Sequence, residues 1–291
     1  MRVQNKRHKI RKENLKNIRR QRQKYPTIAE KILEVSDIIL EVLDARFPDK
    51  TRNEAFEQAV KKQRKKIIYV LNKSDLIDIK EKKKELPEDL SPYIFISSTE
   101  RFGGKLLRDK IKIESKKISK LQNKIIKGDK IKESKDDNII VGVVGYPNTG
   151  KSTMINLLVG KRVAGTGAEA GFTKGMQKLK LSEGVVLIDS PGVIPKKEYS
   201  TSEKGLIAMH TIVGGKSHSQ VKDPEFVVAK IVQDFPGKIE KHYKTKSKEN
   251  AEDILEELGR KWNLLKKGSE VNFDTSARKI LKDWQDGTIK V

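Results

Sequence analysis

Two short stretches of the sequence hold residues whose types and spacing suit phosphate and purine chemistry. The first is "GYPNTGKS", residues 145–152, with the pattern Gly145-x-x-x-x-Gly150-Lys151-Ser152 behind the apolar run "NIIVGVVG" and ahead of a helical pattern. Its glycines allow the tight curvature that turns backbone N–H groups and a helix N-terminus onto an anion. Lys151 then sets a point charge on the terminal phosphates, and Ser152 offers its hydroxyl to a magnesium ion. Tyr146, Pro147, Asn148 and Thr149 fill the loop and Thr153 continues the helix. Asp189 closes "GVVLID", where a carboxylate holds magnesium through water. In the "DSPG" that it opens, Gly192 supplies an amide that suits a γ-phosphate and moves when that phosphate leaves. Between the two motifs, "GFTKGMQ" provides Thr173, a further hydroxyl for the metal and the γ-phosphate.

The second stretch is "NKSD", residues 72–75, after the apolar run "KKIIYVL". The two oxygens of Asp75 match the N1–H and N2–H₂ donors of guanine, an arrangement adenine lacks. Asn72 fixes the loop and approaches the purine, the stem of Lys73 lies along the ring, and Ser74 completes the turn. The next apolar run ends in "ISSTE", which sets the backbone of Ser97 and Ser98 to meet the O6 carbonyl. The expected ligands are GTP and Mg²⁺.

These loops need strands to carry them. "DIILEVL" (37–43), "KIIYVL" (66–71), "YIFISS" (93–98), "NIIVGVVG" (138–145) and "GVVLIDSPG" (184–192) read as strands buried on both faces, and "MQKLKL" (176–181) as a half-exposed one. The intervening "RNEAFEQAVKKQ" and "IDIKEKKKEL" have helical spacing, which predicts parallel strands. Residues 112–138 extend a helix begun at Gly104 and end as a charged linker. After Tyr199 the strand patterns stop, and 203–213, 223–234, 248–265 and 274–285 read as helices. The predicted organisation is a basic arm over 1–26, a three-layer α/β domain with a mostly parallel sheet over 27–200, and a small all-helical domain over 201–291.

The order of the loops is unusual, because the base-reading loop precedes the phosphate loop. A base-reading strand need only neighbour the phosphate-loop strand in the sheet, and termini that lie close together make a rotated order tolerable. Residues 112–138 then join the old end to the old beginning. The sequence therefore predicts a circularly permuted guanine-nucleotide domain.

Composition narrows the partners. Lys and Arg number 63 against 40 acids, a formal net charge of +23 that attracts polyanions, RNA above all. Residues 1–24 alone carry eleven Lys and Arg against one acid, an arm that orders on a polyanion. The absence of cysteine excludes thiol catalysis, disulfides and Cys-ligated metals, and the four scattered histidines show no zinc spacing. With neither a membrane-length apolar run nor a secretory h-region, the expected state is a cytosolic monomer away from membranes.

The loop order, with "DARFPDKTRN" (44–53), "GYPNTGKST" and "DSPGV", resembles the YlqF/RbgA and YawG family of permuted GTPases. The likeness runs over roughly 27 to 287, and "KKGSEVNFDTSARKILKDWQDG" is similar to the helical tail of archaeal and nuclear or nucleolar members. The resemblance implies a GTPase that assists assembly of the large ribosomal subunit. It assigns GTP contacts to Asn72–Asp75, Ser97, Ser98, Asn148–Thr153 and Gly192. Bacterial members begin with a Trp-Phe-Pro-Gly-His-Met stretch implicated in hydrolysis; "RVQNKRHKIRKEN" does not match it, and His8 inherits no catalytic role. Many GTPases place a water-orienting Gln just after the Asp-x-x-Gly, where this chain has Val193, so unassisted hydrolysis should be slow. Asn148 matches an asparagine that in related GTPases helps bind potassium, and joins Lys151 and Thr173 as the candidate catalytic set. Two other readings remain open at this level: an RNA-binding scaffold with GTP as a structural ligand, and a permuted GTPase of the small subunit. Members of the latter group generally add a cysteine-based zinc module or a β-barrel, and neither pattern is visible.

Overall fold

The computed structural model describes residues 29–128, 138–160, 177–189, 203–214, 216–247 and 250–291. These fall into two compact units. The first unit is built on a six-stranded sheet of order β3-β2-β1-β4-β6-β5. Its strands are β1 (Ile38–Asp44), β2 (Lys66–Asn72), β3 (Tyr93–Phe95), β4 (Ile139–Gly145), β5 (Gln177–Ser182) and β6 (Val185–Asp189). β1 pairs with β4, β2 with β3, and β4 with β6, all parallel; β5, at the edge, runs antiparallel to β6. The register sets Ile38 against Val141 and Val143 against Asp189.

Strand periodicity divides the core into two apolar layers. Ile38, Leu40 and Val42 join Val141, Val143 and Leu187 on one face, covered by α5 (Gly104–Gly128) through Leu107 and Ile111, and by α6 (Lys151–Val159) through Met154, Ile155 and Leu158. Ile39, Val144 and Ile188 face the other way, toward Ile32 of α1 (29–35) and Phe56 and Val60 of α3 (Glu54–Lys62). This is the expected three-layer α/β arrangement with a mostly parallel sheet. The base-loop strand β2 and the phosphate-loop strand β4 flank β1, although the chain reaches β2 first. One expected outline differs in length: the strand read over 93–98 contracts to β3, because Ser97 pairs back with Phe102 in a turn. The helix begun at Gly104 runs through Gly128, into the charged segment read as its extension.

The second unit gathers Asp44–Thr51, Lys73–Leu86 and the C-terminal helices α7 (Glu203–Ile212), α8 (Pro224–Asp234), α9 (Lys238–Tyr243), α10 (Ala251–Lys261) and α11 (Phe273–Gln285). Within it lie the short α2 (Pro48–Thr51) and α4 (Ile79–Glu85). Side-chain caps start the longer helices: Asp223 accepts from Phe226 N–H with Pro224 in the first turn, and Asn272 accepts from Thr275 N–H. Trp284 is fully buried, its ring stacked on Phe47 at 5.9 Å, and its indole N–H donates to the Ile212 carbonyl at 3.0 Å. It is therefore a core anchor, with its one polar atom satisfied.

Candidate nucleotide site

The phosphate loop forms where β4 gives way to α6. Gly145 has φ +152°, and a Cβ there would meet the Val42 carbonyl oxygen at 2.4 Å. Gly150 has φ +90°, and a Cβ there would fall 2.3 Å from Asn72 Nδ2. Both positions need glycine, for conformation and for space. Asn148 also adopts positive φ, +59°, which Asn tolerates better than most residues. Thr149 is fully buried, with its hydroxyl donating to the Tyr146 carbonyl at 3.0 Å, and Tyr146 is itself buried.

Asn72, the last residue of β2, ties three loops together. Its Nδ2–H donates to the Thr149 carbonyl at 2.7 Å, while Oδ1 accepts from Ser98 N–H at 3.1 Å and from Ser98 Oγ–H at 2.9 Å. Both ends of a buried amide are thus satisfied, as burial requires. Ser97 is buried, and its Oγ accepts from Glu100 N–H at 3.1 Å, which shapes the Ser-Ser turn.

Lys151 is 7% exposed, its Nζ donating to the Gly145 and Tyr146 carbonyls at 3.0 and 2.8 Å. Burial pushes this ammonium down to about 8, against the opposing pull of Asp189. A desolvated cation held on carbonyls gains by meeting an anion. Ser152 Oγ–H donates to Asp189 Oδ2 at 3.4 Å. One hydroxyl and one carboxylate make a hard-oxygen pair that suits magnesium, which keeps waters and phosphate oxygens as its other ligands. Among the described residues no group of three or more His, Asp and Glu could hold a metal unaided. Thr173 and Gly192 lie outside the described residues.

The rest of the base-reading motif belongs to the second unit. Lys73 takes a left-handed conformation, φ +62°, and a single 3₁₀ turn follows over Ser74–Leu76. Ser74 is buried and Asp75 exposed. The ammonium of Lys73 lies 2.9 Å from Asp44 Oδ2, a carboxylate with no exposure that Arg46 also grips, through Nε–H at 3.1 Å and an Nη2–H at 2.9 Å. Burial alone would raise the Asp44 carboxyl, but Arg46 and Lys73 hold it below the ordinary carboxylate range. Asp44 and Arg46 were not among the site residues read from sequence. The available signal was an acid ending the strand of "IILEVLD", followed two residues later by Arg.

Residues 140–265 match the family model described as "50S ribosome-binding GTPase". The chain is 39% identical over 268 residues to an uncharacterized GTP-binding protein of Methanocaldococcus jannaschii, covering 90% of this chain and 65% of the relative. It is 31% identical to the GTPase grn1 of Schizosaccharomyces pombe, covering 92% of this chain and 61% of that protein. The chain therefore spans somewhat less than two thirds of the length of these relatives. Its structure is similar to GDP-bound TM YlqF, with a TM-score of 0.60 and 25% identity, covering 89% of this chain and 93% of the other. The sheet, the phosphate loop and the reversed order of the loops define the fold of a circularly permuted P-loop GTPase domain, similar in sequence to the archaeal and grn1 relatives and in structure to YlqF.

Proposed function

We propose that the protein binds and hydrolyses GTP and serves as a nucleotide-dependent assembly factor on the precursor of the large ribosomal subunit. The observation that carries the reading is the Asn72 amide, which joins the base-loop strand to the Thr149 carbonyl of the phosphate loop and to Ser98. A nucleotide gripped at its phosphates is thereby registered against a loop built for its base. Asp75, three residues on in the sequence, reads guanine. Ser152, Asp189 and Thr173 would hold Mg²⁺, which neutralises charge between the phosphates when bound. Lys151 exchanges its two carbonyls for phosphate oxygens, and the Gly192 amide meets the γ-phosphate. The family description and the net charge of +23 support ribosomal RNA as the polyanion partner.

With Val193 after Gly192, turnover is slow until a particle or a potassium ion at Asn148 supplies the missing positioning. The test is GTP turnover by the full chain, with and without large-subunit particles, in potassium and in sodium at equal ionic strength. Particle-stimulated multiple turnover is expected, faster in potassium, and the cation preference should vanish in Asn148→Ala. Tight GTP binding without turnover under every condition would replace the switch with an RNA-binding scaffold.

A further inference from the structure

At the end of β4 opposite the phosphate loop, a groove of about 540 Å³ runs between α5 and the β5–β6 hairpin. β4 enters at Ile139, which lines the groove, and leaves at Gly145, so the groove and the phosphate loop are separated by about 20 Å of strand. Lys112, Lys116 and Lys120 of α5 line it. They recur every four residues, about 6 Å apart along the helix axis, and all three are exposed. Among the described residues none of the three has a carboxylate at ion-pair distance, whereas the neighbouring Lys110 and Lys117 are engaged by Glu114 at 3.4 and 3.0 Å. Among the described residues one acid, Glu183, lines the groove against the three lysines.

A second feature points to a ligand. Ser115 lines the groove at 5% exposure, and its Oγ has no hydrogen-bond partner among the described residues. A buried hydroxyl without a partner costs folding free energy, and a bound ligand, ion or water is one way to satisfy it. Ser119, one turn on and also lining the groove, donates its own hydroxyl to the Ser115 carbonyl at 3.1 Å.

We propose that this groove is a second polyanion site, distinct from the nucleotide loops, that takes the phosphodiester backbone of RNA along α5. The row of lysines supplies evenly spaced ammonium donors to successive phosphates, and Ser115 supplies a hydroxyl donor between them. Among the described residues no aromatic side chain lines the groove to offer a platform for stacked bases, so contact is with the backbone whatever the sequence. The inference rests on the proposed binding of ribosomal RNA and gives that binding a location.

The test compares two double variants of the full chain with the same loss of charge, Lys112→Ala/Lys116→Ala and Lys110→Ala/Lys117→Ala. Affinity for a large-subunit ribosomal RNA fragment is measured across a salt series. The first variant should flatten the log–log slope by about 1.4 to 1.8, since each neutralised phosphate contributes about 0.7 to 0.9. The second should keep the wild-type slope, because Lys110 and Lys117 are engaged by Glu114 and neither lines the groove. Ser115→Ala should weaken RNA binding severalfold without changing the slope, and should leave the unfolding midpoint no lower than wild type. GTP affinity should be unchanged in all three. Equal slopes for the two double variants, with the wild type binding RNA steeply, would overturn the groove and leave the RNA-binding reading standing. A wild-type chain that ignores the RNA at every salt concentration would remove both.

Discussion

Lys73 of the base-reading motif and Asp44 at the end of β1 form an ion pair at 2.9 Å, on a carboxylate that is entirely buried and also held by Arg46. An Nη1–H of Arg46 continues the chain of contacts to the Trp284 carbonyl of α11 at 3.0 Å. A lysine that would otherwise be a loose four-carbon arm is fixed at both ends, by its left-handed backbone and by this carboxylate. Asp44→Asn should therefore cost about 3 to 5 kcal/mol, because it strands the buried Arg46 guanidinium. Lys73→Met removes the same pair while leaving Asp44–Arg46 intact, and should cost under about 1 kcal/mol of stability yet weaken GTP. Denaturant unfolding and nucleotide titration of both variants separate the two effects. Wild-type stability in Asp44→Asn would mean that the cluster holds nothing together.

The main sheet was legible from the sequence because the buried strands are short apolar runs bounded by turn residues, and parallel β strands separated by helical spacing leave few alternatives. The phosphate loop was legible because its glycines and lysine serve backbone geometry that little else satisfies. Asn72 stood out in its motif, yet its hydrogen-bond partner Thr149 lies 77 residues later and no local pattern points to it. Asp44 and Arg46 were harder. An acid and an arginine two residues apart at a strand end usually mark a turn at the surface, and only the fold buries them beside Lys73. The segments 44–51 and 73–86 cluster with the C-terminal helices for a similar reason: contacts such as Phe47 on Trp284 join residues 237 apart in sequence, beyond the reach of any periodicity.

Asp75 is exposed, so its carboxylate is available to a base. Asp75→Asn exchanges an acceptor for a donor and should trade guanine for xanthine, which carries a carbonyl where guanine carries an amino group. GTP should weaken by a few kcal/mol, about the cost of a mispaired buried polar group, and xanthosine triphosphate should gain. Competition of the two nucleotides for wild type and variant measures the exchange. Unchanged GTP affinity would reduce "NKSD" to turn chemistry.

Gly150→Ala tests the contact between loops. The new methyl would sit 2.3 Å from Asn72 Nδ2, an amide that cannot swing away without breaking its bonds to Thr149 and Ser98, and φ +90° strains any L side chain. The backbone strain alone is worth about 1 to 3 kcal/mol. GTP affinity should fall at least about tenfold, a factor that corresponds to about 1.4 kcal/mol. Titration calorimetry with GDP and a non-hydrolysable GTP analogue reads this directly. A wild-type affinity would show that the Asn72–Thr149 tie is dispensable for binding.

Behind β1, on the face opposite α5, Glu41 should give the first unit an unusual pH dependence. It is 1% exposed, and its Oε1 accepts from Asn53 N–H at 2.7 Å. The nearby Arg52 is committed elsewhere, to Glu57 at 2.9 and 2.7 Å and to Asp89, and Tyr69 donates its hydroxyl to Glu57 at 2.9 Å. Burial and the charge of Glu57 therefore push Glu41 up from 4.5 to about 8, with Asn53 and Arg52 opposing. In the unfolded chain this carboxyl ionises near 4.5, while in the folded chain it keeps its proton until about 8. The folded state thus binds more protons across that window, so stability is greatest at its acid end and declines as pH rises. The slope approaches about 1.4 kcal/mol per pH unit for this single group. Glu41→Gln keeps a neutral side chain that still accepts from Asn53, and removes the titration. The variant should match wild type at the acid end and exceed it by on the order of a few kcal/mol near pH 8. Denaturant midpoints of both proteins across the window decide the matter. Parallel pH profiles would mean that Glu41 is already ionised in the folded protein, with Arg52 serving both carboxylates.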